Sequence, residues 1–176
     1  NNIKKYDLVF VGNLNYPPNI DTSIFLVKEL LPEIARSYPD ISLLLSGANP
    51  HRSVLQLQDK HIKVQGWTKD IRQAYSSGKI FIAPMRLGTG LQNKLLEAMS
   101  MGIPCVTSEL ANLTLKAEKD KEIMVGHTKD EFISHTINLL KNVELRNHIG
   151  ENGRKFILSN FNWKNTVGDL QRLMNK

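Results

Sequence analysis

The sequence contains a single cysteine and no long hydrophobic run. The cysteine, Cys105, lies within the apolar stretch Gly-Ile-Pro-Cys-Val-Thr-Ser, which is typical of a buried strand residue and not of a reactive thiol. No apolar segment approaches the roughly 20 residues of a membrane-spanning helix, and no signal-peptide pattern opens the chain. We therefore expect no disulfide bond and a cytoplasmic, reducing location.

Several catalytic and metal-binding patterns are also missing. No Gly-x-Ser-x-Gly elbow of a serine hydrolase occurs. The histidines show no metal-ligand spacing with one another or with carboxylates, which predicts no metal site. They are His51, His61, His127, His135 and His148.

The positive charge of the chain is scattered. The formal net charge is +6, which favours anionic partners such as a nucleotide, a phosphorylated substrate or a membrane surface. No basic run interleaved with aromatic residues is present, so we expect no nucleic-acid partner.

Short apolar runs alternate with helical patterns along the chain. The predicted strands are 7–11, 41–46, 62–65, 80–83 and 105–107, with a further one at 122–125. A helix near residues 24–34 should be kinked or split by Pro32, and 51–59 is weakly helical. Further predicted helices are 70–77, one after residue 90, 129–142, 143–159 and 163–176. The alternation predicts a single α/β domain over 1–176, a Rossmann-like parallel sheet with helices on both faces. Residues 161–176 would form a closing helix, and the last two helices, which have no strand to cross to, would decorate the core or form an arm.

The stretch from 80 to 108 reads as strand, loop, helix and strand. Its loop contains Gly88 and Gly90, and a loop of this kind lies at the carboxyl end of the strands, where ligands bind in open α/β sheets. Free amides at the start of the following helix would attract an anion. Arg86 and Lys94 would add full charges to this site.

The helix after Gly90 is predicted to have two faces. An apolar stripe facing the sheet would consist of Leu91, Leu95, Ala98 and Met99. Asn93, Lys94 and Glu97 fall on another side, and the Glu97 carboxylate suits the diol of a ribose. The alternative is that Lys94 and Glu97 form a solvated pair and that the glycines only make a tight turn.

The stretch LGTGLQNKLLEAMSMGIPCVTS resembles the donor-site signature of GT-B glycosyltransferases, in particular the retaining group called family 4. Four further stretches resemble the carboxyl-terminal domain of that family in the same order. They are FVGNLNYPPNID, LLLSGANP, VQGWTKDIRQAYSSGKIFIAP and ENGRKFILSNFNWKNTVGDLQRLM. The resemblance implies the nucleotide-sugar-binding, carboxyl-terminal half of a GT-B enzyme.

The resemblance also implies roles for individual residues. The second acidic residue of the family's Glu, seven residues, Glu motif binds the donor ribose and corresponds to Glu97, whereas the first corresponds to Thr89. The first loop has Asn13 and Pro17-Pro18-Asn19 where the family usually has an Arg and a Lys for the diphosphate. Arg86 and Lys94 are expected to supply that charge.

The base is expected near the ends of the second and third strands. Trp67 either stacks on the base or is partly buried packing. The predicted donor-binding set is Gly12, Asn13, Gly47, Trp67, Thr68, Gly88, Gly90, Leu91, Asn93 and Glu97. The predicted catalytic set is Arg86, Lys94 and Thr89.

The implied reaction is transfer of a sugar from a nucleotide donor to an acceptor hydroxyl with retention, without a further cofactor or metal. The abrupt start of the sequence suggests a piece of a longer chain whose amino-terminal, acceptor-binding domain is missing. The acceptor could be membrane-linked or a saccharide, as in cell-surface polysaccharide biosynthesis at the inner face of the membrane. Apolar surface including Phe161 and Trp163 would meet the missing domain and could drive dimers in isolation.

Two alternatives stay open: a GT-B epimerase, whose catalytic carboxylates and histidine have no evident counterpart, and a non-catalytic nucleotide-binding module.

Overall fold

The computed structural model describes residues 4–88 and 90–161, and a six-stranded sheet forms its centre. All strand pairs are parallel, and the order across the sheet is β3-β2-β1-β4-β5-β6. The strands are β1 Tyr6–Val11, β2 Leu43–Ser46, β3 Ile62–Gln65, β4 Gly78–Ala83, β5 Cys105–Ser108 and β6 Met124–Gly126. This topology confirms the predicted Rossmann-like α/β fold.

The central strands are apolar on both faces because helices cover both sides of a parallel sheet. Leu8 of β1 pairs with Leu43 of β2 on one side and with Ile80 of β4 on the other, and all three side chains are completely buried. The edge strand β3 alternates instead, with Ile62 buried and Lys63 exposed. The uninterrupted apolar runs therefore identify the middle of the sheet.

Eight α-helices connect and cover the strands within the described residues. They are α1 Pro17–Phe25, α2 Leu31–Ser37, α3 Arg52–Leu55, α4 Ile71–Ser77, α5 Asn93–Ser100, α6 Glu109–Leu115, α7 Lys129–Lys141 and α8 Val143–Asn160. None of the helices within 4–88 and 90–161 is both long enough and apolar enough to cross a membrane.

The first helical segment is interrupted where Pro32 predicts it. A π-helical turn, Leu26–Leu30, separates α1 from α2, and the Leu31 amide donates to the Leu26 carbonyl five residues back. Pro32 has no amide to continue the regular ladder, and a wider turn accommodates the change.

Helix α6 lies between the predicted strands 105–107 and 122–125, in a stretch for which the sequence pattern predicts no helix. Ser108 caps it by accepting from the Ala111 amide, and Lys116 ends it in the left-handed region with φ +60°. Ala111 and Leu115 are buried, whereas Leu113 is exposed. With leucines on both faces, the segment lacks the periodicity that identifies an amphipathic helix.

Helix α8 is part of the core and not a peripheral decoration. Ile149 and Ile157 are buried, and a Cβ on Gly150 would overlap the Gly102 carbonyl oxygen at the end of α5. A Cβ on Gly153 would lie 2.7 Å from the Glu122 carbonyl oxygen. Close approach of backbones, which only glycine permits, thus joins α8 to the α5 side of the sheet. The predicted helix 163–176, including Trp163, lies outside the described residues.

Candidate functional site

The carboxyl ends of β1 to β4 open into a cavity of about 550 Å³. Its lining includes Gly12 after β1, Gly47 after β2, Trp67 after β3 and Met85 after β4. Connections from β1 and β4 leave the sheet in opposite directions, so the cavity lies at the topological switch point of the fold. Ligand sites of open α/β sheets are found at this location.

The floor of the cavity is bare backbone. The Gly12 amide donates to the Ser46 carbonyl at 3.0 Å, and the Gly47 amide donates to the Gln65 carbonyl at 3.0 Å. These bonds extend the sheet by one residue and bring the two loops together. A Cβ on Gly47, whose φ is +154°, would overlap the Gly12 carbonyl oxygen. Glycine is required here because the space that a side chain would occupy is already filled.

The loop after β1 contains asparagine side chains and no cationic side chain. Asn19 is buried, and its Nδ2 donates to the Asn13 carbonyl at 2.9 Å, which fixes the loop against Gly12. Asn13 is exposed, and its Oδ1 accepts from the Asn15 amide. The loop contains no Lys or Arg, so it offers no positively charged side chain to an anion in the cavity.

Helix α5 forms the opposite wall. Asn93, Lys94 and Glu97 line the cavity, and Leu95 on the other face is completely buried, as the periodicity predicts. Leu91 departs from the predicted buried stripe. It precedes α5, is 40% exposed and lines the cavity.

Lys94 is a partly buried ammonium group with mostly neutral neighbours. Its Nζ donates to Gln92 Oε1 at 3.0 Å and lies 3.6 Å from Met85 Sδ. No carboxylate of residues 4–88 or 90–161 forms an ion pair with it. Burial lowers the pKa of Lys94 from 10.5 to about 8, and the nearby negative charge of Glu97 offsets only part of this effect. The group is available to an anionic ligand.

Glu97 is held by a residue that the sequence reading did not select. The Tyr75 hydroxyl of α4 donates to Glu97 Oε2 at 2.6 Å, and both residues line the cavity. Burial and the hydrogen bond to Glu97 raise the pKa of Tyr75 well above its usual value, so the hydroxyl remains a donor. A tyrosine within a helical pattern gave no signal of this contact, because the two residues come from different helices.

Trp67 is exposed at the rim of the cavity. Its side chain is 75% exposed, so the packing alternative from the sequence is wrong. Thr68 and Ile71 lie beside it in the lining. An exposed indole face next to a cavity can stack on a planar ring.

Arg86 lies outside the lining of the cavity that contains Lys94 and Glu97. Its guanidinium donates to both Asp21 oxygens, at 2.6 and 3.2 Å, and lies 4.3 Å from the centroid of the Phe25 ring. Glu29 Oε1 is 3.8 Å away, and the hydrogen bonding to Asp21 raises the pKa of Arg86 further. Arg86 therefore anchors the glycine loop to α1, and its charge is already compensated in this arrangement.

The two ends of the glycine loop have different surroundings: Gly88 faces the cavity and Gly90 contacts α6. Gly88 has φ +116° and lines the cavity. Gly90, with φ +78°, lies outside the lining, and its carbonyl accepts from Thr114 Oγ1 of α6 at 3.0 Å. Thr89, predicted as a catalytic residue, lies outside the described residues.

Most of the predicted set is thus brought together. The predicted residues in the lining are Gly12, Asn13, Gly47, Trp67, Thr68, Gly88, Leu91, Asn93, Lys94 and Glu97. The lining also contains residues outside the predicted donor-binding and catalytic sets, namely Val11, Tyr16, Asn19, Ala48, Ile71, Tyr75, Met85 and Gln92. Over the described part of the chain, no three His, Cys, Asp or Glu residues are grouped so that they could hold a metal ion.

Comparison with known proteins gives consistent matches over this fold. A 44.6 kDa protein in the cps region of Klebsiella pneumoniae is 25% identical over 94% of this chain. HepE from Anabaena, solved in complex with UDP and glucose, superposes over 98% of this chain with a TM-score of 0.77 at 14% identity. The C-terminal domain of LpcC, a group 1 family glycosyl transferase from Francisella tularensis, superposes over 92% with a TM-score of 0.72 at 17% identity.

These matches cover nearly all of this chain but differ in how much of the matched protein they cover. The chain spans 46% of the Klebsiella protein and 49% of the HepE chain, but 89% of the LpcC domain. It spans less than half the length of each curated relative that it matches. The model of the family described as glycosyl transferases group 1 matches residues 5–142. The chain belongs to the glycosyl transferases group 1 family and has the fold of the carboxyl-terminal half of a GT-B glycosyltransferase.

Proposed function

We propose that the chain is the donor-binding domain of a retaining glycosyltransferase and that the cavity at the switch point takes a nucleoside diphosphate sugar. The observation that carries the proposal is that one helix presents both an ammonium group, Lys94, and a carboxylate, Glu97, to a cavity that Gly12 and Gly47 also line. HepE, which shares the fold, is solved with UDP and glucose, and this supports a ligand of the same kind.

In this proposal, Glu97 accepts hydrogen bonds from the ribose hydroxyls. Its carboxylate has several lone pairs, and Tyr75 uses one of them. The base lies toward Trp67 and Thr68 at the other side of the cavity, where the exposed indole can stack on it. The base is bound mainly through its face, and the ribose through its polar edge.

The diphosphate lies between the floor and the start of α5. Lys94 compensates its charge, and the positive end of the α5 dipole adds to the attraction. In the transfer step the bond between the sugar anomeric carbon and the diphosphate oxygen breaks, and its electron pair goes to the diphosphate. The anomeric carbon forms its new bond to the acceptor oxygen on the same face, and the acceptor proton goes to the departing phosphate. Lys94 stabilises the negative charge that develops on that leaving group.

In this proposal, the acceptor binds mainly to a second domain of the whole enzyme. Because the chain spans less than half of its curated relatives, the whole enzyme would close the cavity with a second domain. A saccharide or membrane-linked acceptor, a role in cell-surface polysaccharide biosynthesis, and a cytoplasmic location at the membrane remain predictions.

Titration with nucleotides tests the donor site. We expect UDP, GDP or ADP to bind, as measured by calorimetry. Glu97→Ala should lower the affinity for the preferred nucleotide about tenfold, because hydrogen bonds to a charged acceptor are lost. Glu151→Ala is the matched control, because it removes an exposed glutamate on α8 outside the cavity. Absence of nucleotide binding, or equal affinity of the Glu97→Ala and wild-type proteins, would refute the proposed site.

A second prediction concerns turnover. The chain alone is expected to transfer no sugar, because the proposed active-site cleft needs a second domain that holds the acceptor. A longer chain that includes an amino-terminal domain should transfer sugar. Product formation from UDP-, GDP- and ADP-sugars is followed by mass spectrometry. Transfer by the isolated chain contradicts the assignment of the acceptor site to another domain. An inactive longer chain that still binds nucleotide would favour the non-catalytic module.

A further inference from the structure

Tyr75 links helices α4 and α5, which both contribute side chains to the lining of the cavity. Its hydroxyl donates to Glu97 Oε2 at 2.6 Å, and the residues are 22 positions apart in sequence. Neither the glycine-loop pattern nor the family resemblance assigns a role to this tyrosine.

The position of the Tyr75 hydroxyl is determined by the core. The residue is 1% exposed, and its ring packs against Phe81 of β4 with a centroid separation of 5.5 Å. Such a ring has little rotational freedom, so its hydroxyl is a fixed donor. Glu97, in contrast, is an exposed residue whose side chain would sample several rotamers without a partner.

The hydrogen bond leaves most of the Glu97 carboxylate for a ligand. Among the described residues, no hydrogen bond reaches Oε1, and Oε2 keeps a second acceptor site. A carboxylate held in one orientation can accept from two neighbouring hydroxyls at once. A mobile carboxylate pays a conformational entropy cost for the same contact.

We propose that Tyr75 is a positioning residue that orients Glu97 for a vicinal diol, so that the cavity selects ribonucleotides over 2′-deoxyribonucleotides. This inference rests on the proposed function, in which Glu97 contacts the ribose. Tyr75 itself does not contact the reacting atoms and acts through the carboxylate.

The alternative is that Glu97 merely satisfies the buried hydroxyl of Tyr75. Both explanations predict some change of stability in Tyr75→Phe, since the variant loses one hydrogen bond. They differ in the preference for the 2′-hydroxyl. A purely structural hydroxyl would alter the affinities for a ribonucleotide and its 2′-deoxy analogue by the same factor.

The test compares UDP with 2′-deoxy-UDP, or the GDP or ADP pair if the wild-type protein prefers that base. We expect Tyr75→Phe to lower the affinity for the ribonucleotide about threefold and to leave the affinity for the 2′-deoxy analogue nearly unchanged. The preference for the ribonucleotide therefore falls. In the Glu97→Ala background, Tyr75→Phe should have no further effect on either ligand. Tyr38→Phe, which removes a phenolic hydroxyl outside the cavity lining, should preserve the preference.

A second variant secures the test should Tyr75→Phe fold poorly. Glu97→Asp keeps the charge but withdraws the carboxylate from the fixed hydroxyl, and it should lose the same preference. An unchanged preference in Tyr75→Phe or in Glu97→Asp would overturn the inference on Tyr75. Failure of the wild-type protein to bind any nucleotide would instead refute the proposed function, so the two failures are distinguishable.

Discussion

Replacing Gly47 with alanine is expected to lower the free energy of unfolding by about 4 kcal/mol or more. The added Cβ would overlap the Gly12 carbonyl oxygen, which is backbone and cannot rotate away. Relief requires separating the β1 and β2 loops, whose amides are tied to Ser46 and Gln65. The φ of +154° adds strain for any residue with a side chain. Urea denaturation followed by circular dichroism measures the loss.

Gly66 provides the matched control for this substitution. It follows β3 as Gly47 follows β2, but a Cβ at Gly66 would find its nearest neighbour, Pro50 Cδ, at an ordinary 3.9 Å. Gly66→Ala should therefore change stability by less than about 1 kcal/mol. Similar losses in both variants would show that the contact between the two loops is not what requires glycine at position 47.

Replacing Lys94 with methionine is expected to have opposite effects on stability and on nucleotide binding. The pKa of Lys94 is lowered from 10.5 to about 8, so the folded protein holds an ammonium group at neutral pH at the expense of stability. Methionine fills a similar volume without charge, and it should stabilise the fold by about 1 to 3 kcal/mol at pH 7. The same change removes the Lys94 cation from the cavity and should weaken the binding of a nucleoside diphosphate by about 2 kcal/mol, or about thirtyfold.

The sign of the pH dependence follows from the same shift. Between about pH 8 and pH 10.5 the unfolded chain binds more protons at Lys94 than the folded chain does, so wild-type stability rises with pH in this window relative to Lys94→Met. Diphosphate affinity changes in the other direction. It should fall about tenfold from pH 7 to pH 9 as the ammonium group loses its proton, while the terminal phosphate, with a pKa of about 6, stays ionised.

Calorimetric titration at several pH values measures this dependence, and thermal unfolding measures the stability. Lys155→Met, which removes an exposed lysine on α8 outside the cavity, is the control and should leave both quantities nearly unchanged. If Lys94→Met is less stable than the wild type, Lys94 is not a destabilising buried charge. If diphosphate affinity in the wild type is independent of pH over this range, Lys94 is not the counter-ion of the diphosphate.

Helices α5 and α6 differ in how clearly their sequences predict them. In α5, buried Leu95, Ala98 and Met99 recur at helical spacing, while Lys94 and Glu97 line the cavity. Periodicity alone therefore identified this helix and its cavity-facing residues. The segment of α6 has leucines on both faces, so its sequence shows no such period.

Arg86 shows that local sequence does not predict the partner of a charged side chain. Its place beside the glycine loop suggested a phosphate ligand, but Asp21 and Phe25 from α1 hold its side chain. These partners are about sixty residues earlier in the chain. Local sequence specifies that a charge is present, whereas the tertiary packing decides whether a partner has already compensated it.

The sequence by itself determined the parallel α/β architecture, the strand-end glycines and the cavity-facing pair on α5, because apolar periodicity and turn chemistry are local properties. Only the tertiary structure decided that Tyr75 holds Glu97, that Arg86 pairs with Asp21 of α1, and that Trp67 is exposed. Each of these depends on which elements the sheet order β3-β2-β1-β4-β5-β6 places side by side. Contacts between residues distant in sequence arise from packing, and no local pattern encodes them.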